Sequence, residues 1–141
     1  MLTHKVRTYS VHSPAPKTAL YILSRGRNAG KPMFEPCPNC HIIYVNSDEE
    51  CEVYYWTFYA LWKHGFFHPH LCGSVIEMLR LCDLKTLMRN FIQPAFEKSC
   101  HSPEMVTKIK ATWELEQKII QQAKALEKLR HSLVRRYYLK M

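Results

Sequence analysis

From Glu104 to about Leu139 the chain contains neither glycine nor proline. About 36 residues at ~1.5 Å per residue reach roughly 54 Å as one helix, far beyond the ordinary globular length. Pro103 suits the first turn of such a helix. Along it, Leu115, Ile119, Gln122, Leu126, Leu129 and Leu133 recur at alternating spacings of four and three. That is a heptad seam with one polar position, Gln122, the pattern of a helix that pairs with itself or with another helical protein. A second stripe, Ile109, Trp113, Ile120 and Ala123, is placed to pack on the protein's own body.

The remainder must then form the globular part. A chain of 141 residues with 47% apolar content has enough material for one hydrophobic core. No run approaches the roughly 20 apolar residues that span a bilayer, so no membrane partner is expected. The N-terminal charges are not followed by an apolar segment, so a secretory leader is not expected. The expected location is cytoplasmic, and the six cysteines (37, 40, 51, 72, 82 and 100) are expected as thiols.

The spacing predicts an α+β fold. Residues 1–17 read as an extended N-terminal arm. Thr18–Ser24 and His41–Asn46 read as strands, separated by a long loop with prolines at 32, 36 and 38. Ser47 stands three residues before Glu50, the spacing of a capping box, and predicts a helix over about 48–64. Asp48, Glu49 and Glu50 complement its dipole and Gly65 stops it. Val53, Trp56 and Ala60, widened by Tyr54, Phe58 and Leu61, mark its buried face. Ser74–Leu81 reads as a strand, Asp83 as the cap of a helix over Leu84–Asn90, Phe91-Ile92 as a brief strand, and 94–103 as a linker. The domain reading is thus residues 1–101, then a long amphipathic, coiled-coil helix in 102–141 (about 104–139).

Charge is unevenly distributed. The net charge is +8. Residues 1–34 hold six bases and no acid, residues 35–62 five acids and no base, and residues 102–141 nine bases against four acids. Basic ends suit a polyanion such as DNA. Gly26-Arg27-Asn28-Ala29-Gly30-Lys31-Pro32 suggests a phosphate loop but fails on spacing, and Pro32 stands where a magnesium-binding Ser or Thr belongs. What remains is a flexible loop whose Arg25, Arg27, Asn28 and Lys31 are expected to grip phosphates or reach base edges; the alternative is an exposed turn. Cys37-Pro38-Asn39-Cys40 is half a zinc site, whose other half would come from among His64, His68, His70 and Cys72. The expectation is no cofactor, with a zinc-stabilised module as the alternative. No nucleophile–base pair or carboxylate pair stands out, so the expectation is not an enzyme. The aromatic run from Tyr54 to Phe67 reads as core more than as a base-stacking platform.

The order Glu52–Trp62, then Gly73-Ser74-Val75-Ile76, then Asp83-Leu84-Lys85-Thr86-Leu87, then a long helix resembles the C-terminal part of a target-recognition domain with its spacer helix. That is a module of the specificity subunits of type I restriction-modification enzymes. The likeness covers about residues 52–135, and Glu77 stands where that family usually has proline. It implies DNA recognition by the globular part, with Arg80 and Lys85 as added contacts, and a two-fold dimer through the helix. The N-terminal segment resembles short uncharacterised bacterial proteins with a Gly-Lys-Pro…Pro-Cys-Pro-Asn core.

Overall fold

Two apolar runs, around Leu20–Ile22 and Ile42–Val45, find each other across the sheet. In the computed structural model, which describes residues 5–14, 16–97 and 103–139, they form β2 (Ala19–Leu23) and β4 (Cys40–Tyr44). The two strands are antiparallel, with Leu20 opposite Ile43 and Ile22 opposite His41. Side chains alternate across a strand, so Leu20, Ile22 and Ile43 face the main core while Tyr21, Cys40 and Ile42 pack on the other side. The sheet gains two short edges: β1 (Val6–Thr8) beside β4, and β3 (Pro32–Met33) beside β2, giving the order β1-β4-β2-β3. These edges correct the expected arm and loop. Strands of three and two residues are too short to show an alternating pattern in sequence.

The long first helix, α1 (Asp48–Lys63), begins where expected. Ser47 accepts a hydrogen bond from the Glu50 amide at 3.1 Å, and the Glu50 carboxylate accepts one from the Asn46 amide at 2.7 Å. At the other end Gly65 (φ +80) permits the closing turn, with Gly65 N–H donating to Trp62 and Phe66 N–H to Leu61. The buried row is Cys51, Tyr54 and Phe58, with Trp56 beside it. Val53 and Ala60, expected on that face, are only half-buried.

Beyond α1 the structure departs further from the expected elements. His68–His70 is a single 3₁₀ turn. Cys72 and Met78 exchange both backbone hydrogen bonds, at 2.9 and 2.8 Å. The residues between them therefore form a hairpin loop whose tip exposes Val75 (92%) and Ile76 (62%), instead of a strand over Ser74–Leu81. A helix, α2 (Leu81–Leu87), starts earlier than expected, with Arg80 at its cap position and Asp83 inside its first turn. Leu84, Leu87, Met88 and Ile92 are buried at helical spacing, so Phe91 and Ile92 are helical and not a strand. Pro94 lacks an N–H and its ring crowds the preceding turn. A wide π turn (Met88–Ile92) precedes it, and α3 (Gln93–Glu97) follows in place of the expected linker. The rest of that linker, residues 98–102, lies outside the described residues.

The β2–β3 loop is fastened to this core through Gly30. Gly30 (φ +97) lies against the ring of Phe67, and an added Cβ would collide with that ring. Phe67 is fully buried and stacks on Phe58 at 5.8 Å between ring centroids. Ala29 beside it is buried, and Leu23 and Lys31 close the loop by a 2.9 Å backbone hydrogen bond. The segment expected to be flexible is a closed turn.

The last helix, α4 (Pro103–Val134), continues as a π turn over Arg135–Leu139. The chain divides into two units, Met1–Val106 and Thr107–Met141. Among the described residues no helix is long and apolar enough to cross a membrane.

Gly30→Ala combines a left-handed backbone with a collision against buried Phe67, and is expected to cost about 2–4 kcal/mol. Gly65→Ala, which meets only the backbone penalty, is expected to cost about 1 kcal/mol. Urea unfolding of the two variants checks the order; equal losses would contradict the Gly30–Phe67 contact.

Candidate nucleic-acid interface

The basic residues singled out in the sequence fall into two groups. Arg25 and Arg80 are brought together. The backbone of Arg25 bridges that of Met78, and the Leu79 amide donates to the Ser24 carbonyl at 2.8 Å. In an antiparallel pairing of this kind Arg25, Met78 and Arg80 project to one side. Both arginines line one cleft at the end of the sheet. Gly26 N–H donates to the Glu77 carbonyl at 2.8 Å, which holds the exposed Val75-Ile76 tip next to the turn carrying Arg27 and Asn28. Arg27 and Asn28 are exposed.

Lys31 belongs elsewhere. Its ammonium lies 5.5 Å from the Trp62 ring centroid, and that of Lys63 lies 5.3 Å from the same ring. Half-buried Tyr55 and Tyr59 extend this rim, with Phe34 stacked on Tyr55 at 4.1 Å. The aromatic run of α1 thus divides: Tyr54, Trp56 and Phe58 are core, and the rest is a rim with two lysines over it. Lys85 is exposed on α2.

Arg80 is oriented by Asp83, whose carboxylate accepts from Nε at 2.7 Å and from a terminal nitrogen at 3.2 Å. The hydrogen bond from the guanidinium holds the Asp83 carboxyl below the usual carboxylate range. Asp83 takes two of the five guanidinium N–H groups and leaves three for other acceptors.

His41, on the core side of β4, does not stand out in the sequence. It is only 5% exposed, and its Nε2 donates to the Leu79 carbonyl at 2.7 Å. A carbonyl only accepts, so Nε2 carries the proton. Among the described residues, Nδ1 of His41 is the one fully buried side-chain nitrogen or oxygen without a hydrogen-bond partner. Such a group costs about 1–3 kcal/mol in isolation. The one sequence signal for it is its place directly after Cys40, within an apolar strand.

The residues considered for zinc are not gathered. Cys40 is buried and its thiol donates to the Cys37 carbonyl at 3.0 Å. Cys72 donates to the Met78 carbonyl at 3.5 Å. His68 and His70 lie on the 3₁₀ turn that Pro69 favours, so they do not share a strand face with Cys72 as expected. Among the described residues no group of three or more His, Cys, Asp and Glu side chains is placed to hold a metal ion. Cys37, Cys40, Cys51, Cys72 and Cys82 are free thiols.

The helix seam is open. Leu115, Ile119, Leu126, Leu129 and Leu133 are 46–65% exposed, and Gln122 is exposed between them. Trp113 and Ile120 of the second stripe are exposed as well.

Burial pushes the Cys40 thiol up to about 11, so at pH 8 its thiolate fraction is about one part in a thousand. Iodoacetamide at pH 8 is therefore expected to label exposed Cys82 well before Cys40, as read by peptide mass spectrometry. Equal rates would contradict the packing around Cys40.

No curated protein and no solved structure matches this chain. Residues 6–136 match the model of a family of unknown function, DUF6943, and the chain belongs to that family.

Proposed function

We propose that the protein is a non-enzymatic DNA-binding module, resembling a reduced type I restriction specificity subunit, that assembles through its C-terminal helix. The observation that carries the DNA-binding reading is the 2.8 Å hydrogen bond from Gly26 to Glu77, with the bridge between Arg25 and Met78 beside it. These contacts hold two segments distant in sequence side by side. Arg25 and Arg80 line one cleft, and the turn that carries Arg27 and Asn28 is tied through Gly26 to the hairpin whose tip exposes Val75-Ile76. Cations that contact phosphates, next to an apolar wedge, form a combination suited to nucleic acid. Lys31, over the Trp62 ring, and exposed Lys85 on α2 are further cations outside that cleft.

Fluorescence anisotropy of a labelled duplex across a salt series tests it. Affinity is expected to fall with salt. The triple variant Arg25→Gln, Arg27→Gln, Lys31→Gln is expected to lower the slope of log K against log salt by about 0.9 for each phosphate it leaves unneutralised. No binding at low salt, or a slope unchanged in the variant, would overturn the reading.

The exposed seam favours a second reading, a protein-interaction adaptor that ignores DNA and binds a partner helix. Five large apolar side chains on one exposed helical line have no covering group within their own helix. Leu126→Asp with Leu129→Asp would place charge in the seam. Under either reading this pair is expected to abolish self-association, or capture of a helical partner, in analytical ultracentrifugation and pull-down. Under the adaptor reading the duplex does not bind at all.

A further inference from the structure

We infer that the cleft at the end of the sheet is a binding site for a phosphate monoester of about nucleotide size, an inference that deepens the DNA-binding reading and rests on it for the polymeric form of the ligand. The cleft lies where β1 and β2 end, β4 begins and residues 78–81 cross. Its volume is about 350 Å³, near the lower end for small-molecule sites. Thr8, Ser24, Arg25, Cys40, His41 and Arg80 are among the residues that line it.

Three observations set the class of ligand. Two guanidinium-bearing side chains, Arg25 and Arg80, come to one cleft from separate segments, and Asp83 fixes the orientation of Arg80 while leaving N–H groups unused. A planar guanidinium matches the oxygens of a phosphate group, and a monoester carries more charge than the internal diester of a strand. Next, Cys40 stays a neutral thiol because burial raises it to about 11, so it places no competing negative charge in the cleft. Finally, a cleft of about 350 Å³ has room for more than a bare anion. Arginines for the phosphate and room for the attached group together match a nucleoside monophosphate better than a bare anion. That chemistry is available either as a free mononucleotide or as the 5′-phosphorylated end of a strand.

The test is isothermal titration of the full chain with adenosine 5′-monophosphate, adenosine and 3′,5′-cyclic adenosine monophosphate, alongside short single strands with and without a 5′-phosphate. The monoester is expected to bind about tenfold or more tightly than the nucleoside and the cyclic diester, in the mononucleotide arm or the strand arm. Preference in the mononucleotide arm identifies a free nucleotide as sufficient; preference in the strand arm alone identifies a strand end. Arg80→Gln and Arg25→Gln are each expected to erase most of the preference. Both arginines are exposed, so both variants are expected to fold. No preference for the monoester in either arm, or a preference untouched in both arginine variants, would overturn the inference. Duplex binding that fails while the monoester preference stands would sink the DNA-binding reading and leave this site intact; the reverse pattern would sink the site alone.

Discussion

Leu79 is the residue on which the candidate site depends. Its side chain is fully buried. Its amide donates to Ser24, and its carbonyl accepts from the His41 ring. Both backbone groups are thereby satisfied where the chain crosses the end of the sheet, as a buried backbone requires. With Leu79 pinned, Met78 bridges Arg25 on one side and Cys72 on the other. Arg80, next in sequence, is delivered to the cleft and starts α2. The arginine pair, the hairpin tip and the cleft all follow from this crossing.

A second contact fixes the turn between β2 and β3. Gly30 rests on Phe67, Phe67 stacks on Phe58, and Phe58 is the innermost residue of α1. The turn that carries Arg27 and Asn28 is thus tied to the helix through three residues. Without a Cβ at position 30 the backbone approaches the ring directly. A basic loop held this way presents its charges without the entropic cost of ordering a free segment on binding.

The expectation of a zinc site and the cleft share one stretch of sequence. Cys37-Pro38-Asn39-Cys40 bends the chain into β4, with the Cys40 thiol bonded back to the Cys37 carbonyl. Pro38, Asn39 and Cys40 line the cleft together with the residue that follows, His41. Spacing of cysteines alone does not distinguish a metal knuckle from a turn closed by a thiol. The difference lies in whether a second pair of ligands approaches, which only the folded chain determines.

Short-range chemistry was legible in the sequence wherever a local rule governed it. The α+β class, the start and stop of α1, the two central strands and the long C-terminal helix all follow from capping residues, periodicity and the absence of Gly and Pro. The exposed seam from Leu115 to Leu133 follows from the same period. Tertiary structure decided what local rules leave degenerate. The two edge strands depend on backbone pairing and have no side-chain signature at that length. Val75 and Ile76 have strand-forming side chains, yet the Cys72–Met78 pairing turns them outward. Met88–Ile92 is helical because its apolar residues sit at helical spacing over the core. The commitment of His41 to Leu79 joins positions 38 residues apart, and the meeting of Arg25 with Arg80 spans a longer separation still. Such contacts depend on how the elements pack around a shared core, and no local sequence window encodes that.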